Sequence, residues 1–207
     1  GIRDSVASRG LGDVYKRQPE FSESTELGYK AFLFDRRVQL NAAYFINDYA
    51  GKQEESTQVD PQTKTVASFW SNVANAEYEG FELDAQILVN QYFRMFFNYG
   101  TLDATYEGFV TDIDESDGVI KLENADFLTP RFAPEESYGI GGTLSIPAGQ
   151  GNVDIFAKFS RIGEFETNLL NSDLGRAPET DNVNASIGYY QDNWSIVAYG
   201  QNLTDEQ

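Results

Sequence analysis

The sequence predicts an all-β fold, an antiparallel up-and-down transmembrane β-barrel. Three observations predict it. Apolar residues recur with a period of two along most of the 207 residues, the connections alternate strictly between short and long, and no stretch carries a helical period. The segment 72–89, "NVANAEYEGFELDAQILV", shows the first most plainly. From Phe81 its odd positions are Phe81, Leu83, Ala85, Ile87 and Val89, while Glu82, Asp84 and Gln86 lie between them. Alternate residues of a strand point to opposite faces, so one face is apolar and the other carries carboxylates.

Eight strands follow in order. The first lies near residues 27–33, and the second alternates Val38, Leu40, Ala42, Tyr44 and Ile46 with Gln39, Asn41 and Asn47. The third is the segment just quoted. The fourth carries Phe93, Met95, Phe97 and Tyr99 against Arg94 and Asn98. The fifth sets Tyr138, Ile140, Leu144 and Ile146 against Gly139, Gly141, Thr143 and Ser145, and the sixth sets Val153, Ile155, Ala157 and Phe159 against Asp154 and Lys158. Val183, Ala185, Ile187 and Tyr189 mark the seventh; Trp194, Ile196 and Ala198 mark the eighth.

Short turns are expected at 34–37, 90–92, 147–152 and 191–193, and long links at 51–72, 107–137 and 163–182. In an up-and-down sheet this puts every tight turn at one end and every long loop at the other, the pattern of barrels with short periplasmic turns and long extracellular loops. The alternating runs are near the 9 to 11 residues a tilted strand needs to cross hydrocarbon. Aromatics gather near strand ends, at Tyr44, Tyr49, Tyr92, Phe93, Tyr99, Tyr106, Tyr189, Tyr190 and Trp194, and are expected to form interfacial girdles. On this reading Glu82, Asp84, Gln86, Arg94, Asn98, Asp154 and Lys158 face the lumen, and the odd-position apolar residues face outer-membrane lipid. Gly139 and Gly141 are expected to leave room there for a plug.

Composition narrows the function. A net charge of −18, from 33 acids and 15 bases, argues against nucleic-acid binding, which needs cations to displace counterions. With no Cys and no His, thiolate nucleophiles, imidazole triads and Cys/His zinc sites are excluded. The adjacent carboxylates Glu54–Glu55 and Glu135–Glu136 point to opposite faces of a strand and cannot converge on one bond, so no catalytic site, and no cofactor, is expected. The acidic stretch 107–127 places Asp112, Asp114, Ser116 and Glu123 at EF-hand spacing. It has Asp117 where the sharp turn demands glycine, so a solvated loop without metal is expected. Residues 1–18 hold four bases and two acids against 11 and 31 in the remainder; they read as a non-native leader or adaptor-derived segment, with the barrel domain over 19–207.

Five phrases carry a family resemblance, in order: "PEFSESTELGYK" (19–30), "LNAAYFINDYAGKQ" (40–53), "NVANAEYEGFELDAQ" (72–86), "NYGTLDATY" (98–106) and "GQNLTDE" (200–206). Together they resemble the C-terminal barrel region of TonB-dependent outer-membrane receptors. That family's fold is a barrel of about 22 strands around a separate plug. The resemblance implies that this chain is a partial barrel of about eight strands, truncated at both ends and with two unclosed edges. It implies a monomeric receptor in the Gram-negative outer membrane that works with a plug and TonB. Its expected role is active uptake of a scarce nutrient, most often a ferric siderophore, sometimes a vitamin or glycan. Its ligand contacts would come from outer loops, for which Trp70, Tyr78, Tyr106, Arg131 and Phe132 are the candidates, since aromatic and guanidinium groups dominate such contacts. Two other readings stay open on the residues alone: a complete small eight-stranded membrane barrel, and a soluble all-β ligand-binding module.

Overall fold

The computed structural model describes residues 18–59, 66–113 and 121–205; the expected leader and the centre of the acidic stretch, with Asp114, Ser116, Asp117 and Gly118, lie outside the described residues. The main body is one eight-stranded antiparallel sheet. Its strands are β1 (Phe21–Leu33), β2 (Val38–Val59), β3 (Val66–Leu88), β4 (Phe93–Glu107), β7 (Glu136–Ala148), β8 (Gly151–Ile162), β11 (Thr180–Gln191) and β12 (Trp194–Gly200), each paired with its neighbour in chain order. Two short hairpins interrupt the numbering: β5 (Val110–Asp112) with β6 (Leu122–Asn124), and β9 (Phe165–Glu166) with β10 (Arg176–Ala177). A 3-10 turn at Asp173–Gly175 precedes β10.

Register explains how the alternation becomes two chemically different faces. Ala31, Leu40, Ala85, Phe97, Ile140, Phe159 and Val183 are paired successively across seven strands, so they form one row on one face. One residue away, Lys30, Asn41, Asp84, Asn98, Gly139, Ser160 and Asn182 form the adjoining row on the other face. Among the described residues no second layer covers the apolar face. Leu27, Tyr29, Phe81, Ile140, Ile155, Ile187 and Ile196 all lie exposed there. Toward the loop end this face turns charged, at Glu79, Asp103, Glu136, Arg161 and Asp181, which bounds the apolar band.

Three expectations are revised. The link 51–72 is not a loop: β2 and β3 continue to pair as far as Val59 and Val66, through register shifts near Lys52. There the register shifts interrupt the alternation of the sequence while the backbone keeps its ladder. The aromatic girdle is split, with Tyr44, Phe93, Tyr99, Tyr189 and Trp194 on the apolar face and Tyr49, Tyr106 and Tyr190 on the polar one. Finally, the space over the small residues is filled from within the sheet. A Cβ on Gly141 would meet the Phe96 ring at 2.5 Å, and one on Gly139 would meet Asn98 Oδ1 at 2.6 Å.

Gly80 is equally closed, because a Cβ there would lie 2.5 Å from both the Phe45 ring and the Thr101 carbonyl oxygen. Backbone cannot yield as a side chain can. Gly80→Ala and Gly141→Ala are expected to destabilise the barrel by about 1–3 kcal/mol, the usual cost of overpacking. Thermal unfolding of the refolded protein measures this, and unchanged midpoints for both would refute the close packing.

Candidate functional site

At the loop end, the two long links fold against the polar face of the sheet. Tyr106 and Ala76, paired across β4 and β3, stand on that face. Against them Phe109, Ala125 and Leu128 of the β4–β7 link are buried, with Leu169 and Leu170 of the β8–β11 link packed alongside. The sheet has no sandwich core, so this cluster is the site's local core. The links are tied directly: Asn171 accepts from the Thr129 N–H at 2.6 Å and donates to the Thr129 carbonyl at 3.0 Å, and Phe132 N–H donates to the Glu166 carbonyl at 2.8 Å. Asp126 closes the start of the first link by accepting from the Phe109 N–H at 2.7 Å. A hydrogen bond from Asn124 and those backbone donors hold the Asp126 carboxyl below its ordinary value.

Glu54 of β2 is the electrostatic centre. Its side chain is 4% exposed, and it accepts from the Tyr106 hydroxyl at 3.1 Å, pairs with Lys52 at 2.9 Å and bonds the Arg131 guanidinium. Burial alone would push this carboxyl up. Lys52 and Arg131 outweigh burial and leave it below its ordinary value, so it is ionised at neutral pH. Burial, reinforced by the Glu54 charge, drives the Tyr106 hydroxyl well above its usual range. The neighbouring Glu55 is exposed, as alternation requires.

Of the candidate contact residues, three converge here. Tyr106 is buried, its ring 4.7 Å from Phe109, and its hydroxyl is committed to Glu54. Arg131 binds the same carboxylate. Tyr78 joins through Lys52, whose ammonium lies 5.9 Å from its ring, and it packs edge-on against Tyr49 at 5.4 Å. Phe132 adjoins them but stays 65% exposed, its ring 6.1 Å from Phe165 and 6.0 Å from the Arg131 guanidinium carbon. Trp70 stands apart, half exposed on the β2–β3 hairpin opposite Glu55. Glu82, Asp84, Gln86, Arg94, Asn98, Asp154 and Lys158 all share the polar face, further toward the turn end. Their charges balance closely.

Residue-by-residue analysis missed Glu54 and Lys52 as members of the site. Plain alternation along β2 would place Glu54 on the side away from Tyr106; the register shifts near Lys52 reverse this, and no local pattern signals them. Among the described residues no group of three or more acids is arranged to hold a metal ion.

A sequence profile of the TonB dependent receptor-like, beta-barrel family matches residues 8–203. The chain belongs to the family of TonB-dependent receptor β-barrels. Solved structures agree in fold. The ferric yersiniabactin uptake receptor FyuA from Yersinia pestis superposes with a TM-score of 0.68 at 19% identity, covering 90% of this chain and 25% of that one. The ferric-catecholate import receptor Fiu from Escherichia coli K12 gives 0.64 at 19% identity, over 97% and 26%. The siderophore receptor PiuA from Acinetobacter baumannii gives 0.64 at 17% identity, over 89% and 24%. The chain thus spans about a quarter of the length of these receptors.

The Glu54 cluster has a pH signature. Its folded carboxyl titrates below its ordinary 4.5, so its stabilising contribution is complete above that value and is lost as pH falls through the lowered one. Protection of the amides in residues 121–135, corrected for the intrinsic pH dependence of exchange, is expected to fall below about pH 4.5 in the native protein and to stay constant there in Glu54→Gln. Equal acid responses in both proteins would remove Glu54 from the account.

Proposed function

We propose that this chain is part of a Gram-negative outer-membrane receptor for active uptake of a scarce nutrient, with a ferric siderophore as the leading ligand class and a vitamin or glycan behind it. The observation that carries this reading is the uncovered apolar face of a single-layer sheet, bounded by charge at the loop end, in a chain of the TonB-dependent receptor family. Such a face suits hydrocarbon, with the polar face turned to a lumen. The turn end is then periplasmic and the loop end extracellular. In the whole receptor the balanced polar row from Glu82 to Lys158 borders a plug, TonB supplies the pull that moves it, and the protein works as a monomer. Residues 19–207 are the barrel portion, and residues 1–18 are foreign to it.

Binding at the loop end and gating in the lumen, without covalent chemistry, is the mechanism. The ligand class is supported by the similar solved receptors, which take ferric yersiniabactin (FyuA) and ferric catecholates (Fiu). Trp70, Arg131 and Phe132 are the contact residues proposed for it, with Tyr78 and Tyr106 behind them.

The test is uptake by the intact receptor, made from the parent gene, in outer-membrane-permeability-matched cells. TonB-dependent accumulation of radioiron from a tris-catecholate, a tris-hydroxamate or an α-hydroxycarboxylate chelate is expected. Accumulation that persists without TonB, or iron accumulation from none of the chelates, would overturn the siderophore reading. This chain expressed alone is expected to transport nothing.

A further inference from the structure

Phe132 combines three properties that rarely coincide. It is a bulky residue in the left-handed backbone region, at φ +60°. It sits in the turn at Arg131–Phe132 of the β4–β7 link, outside the strand hairpins of which Phe34 closes one. Its ring is largely exposed, although an aromatic residue normally occupies a costly backbone conformation only where the surroundings impose it. Here the surroundings are explicit. The backbone N–H of Phe132 is held by the Glu166 carbonyl, and the guanidinium of the preceding Arg131 is drawn down to the buried Glu54 carboxylate. Arg131 Nε is buried without a hydrogen-bond partner, so the guanidinium is placed by its pairing with Glu54 at the expense of its other donor. Glu54 in turn is fixed by Lys52 on its own strand and by Tyr106 of β4. A chain of contacts therefore runs from the sheet, through one carboxylate and one guanidinium, to an exposed ring.

We propose that Glu54 is a positioning residue for ligand recognition: by anchoring Arg131 it sets the Phe132 ring, presented at the loop end, against the incoming chelate. This rests on the uptake reading above and deepens it by separating the residue that meets ligand from the residue that aims it. Glu54 itself is buried and does not touch the ligand. Removing its charge loosens the aim without removing the ring.

The test uses the intact receptor and a panel of tris-catecholate, tris-hydroxamate and α-hydroxycarboxylate ferric chelates, with binding read by fluorescence quenching and amide exchange followed in parallel. Phe132→Gly removes the ring and relieves the backbone, so thermal stability is expected to hold while affinity for the bound chelate falls about tenfold, a hot-spot loss. Glu54→Gln is expected to give a similar affinity loss with faster exchange in residues 121–135. The double variant should bind no worse than Phe132→Gly alone, because both act through one ring. Arg131→Lys keeps the charge and should recover part of what Arg131→Met loses. If the native receptor binds no ferric chelate, the siderophore reading falls and this inference with it. If it binds but Glu54→Gln leaves affinity unchanged, or the two substitutions add, only the positioning role falls. Loss of stability in Phe132→Gly equal to its loss of binding would likewise make Phe132 a structural residue and overturn the proposal.

Discussion

The constraint on which everything else depends is backbone hydrogen bonding in a sheet with no second layer. A strand facing hydrocarbon has no water to satisfy its N–H and C=O groups, so each must find its partner on a neighbouring strand. The meander from β1 to β12 meets this by pairing every main strand with the next, and β2 with β3 well past the apolar band. Side chains are then free to specialise by face. Ordinary domains reverse this dependence, since a buried core positions their strands. Here the ladder positions the strands, and the largest contiguous core among the described residues lies off the apolar band altogether, beneath the links.

That displaced core explains the character of the loop end. Two links of irregular backbone would have little reason to adopt one shape on a flat strand surface. Phe109, Ala125 and Leu128 supply apolar burial, and the Asn171–Thr129 exchange joins the links to each other. The buried carboxylate of Glu54 adds direction, because an ionised group in that setting is tolerated only with its cations in place. Apolar packing holds the links down, and the ion cluster determines how they lie. The candidate site is therefore an extension of β2, β3 and β4.

How far this was legible in the sequence differs by level. Alternation such as Phe81–Leu83–Ala85–Ile87 encodes a face directly, so strand identity, pairing order and the shared face of Glu82, Asp84, Asn98 and Lys158 could be read from period and turn spacing. The β2–β3 extension could not, because register shifts near Lys52 interrupt the period there. Glycines at 139 and 141 were legible as small, but the ring and amide that occupy their space come from β4, one strand away. The site was legible in its residue types only. Tyr106 and Arg131 are 25 positions apart and Glu54 is 77 from Arg131, so their convergence is a property of link folding that no local pattern records.

The reciprocal bonds between Thr129 and Asn171 have a consequence for how such a surface changes over generations. Exposed links on a barrel are ordinarily free to diversify one at a time, since each answers only to the two strands that carry it. Here a substitution in one link alters the footing of the other, across two intervening strands. On the proposed uptake reading, the two links change as one block, whereas exposed positions such as Phe132, outside the shared seam, can change alone.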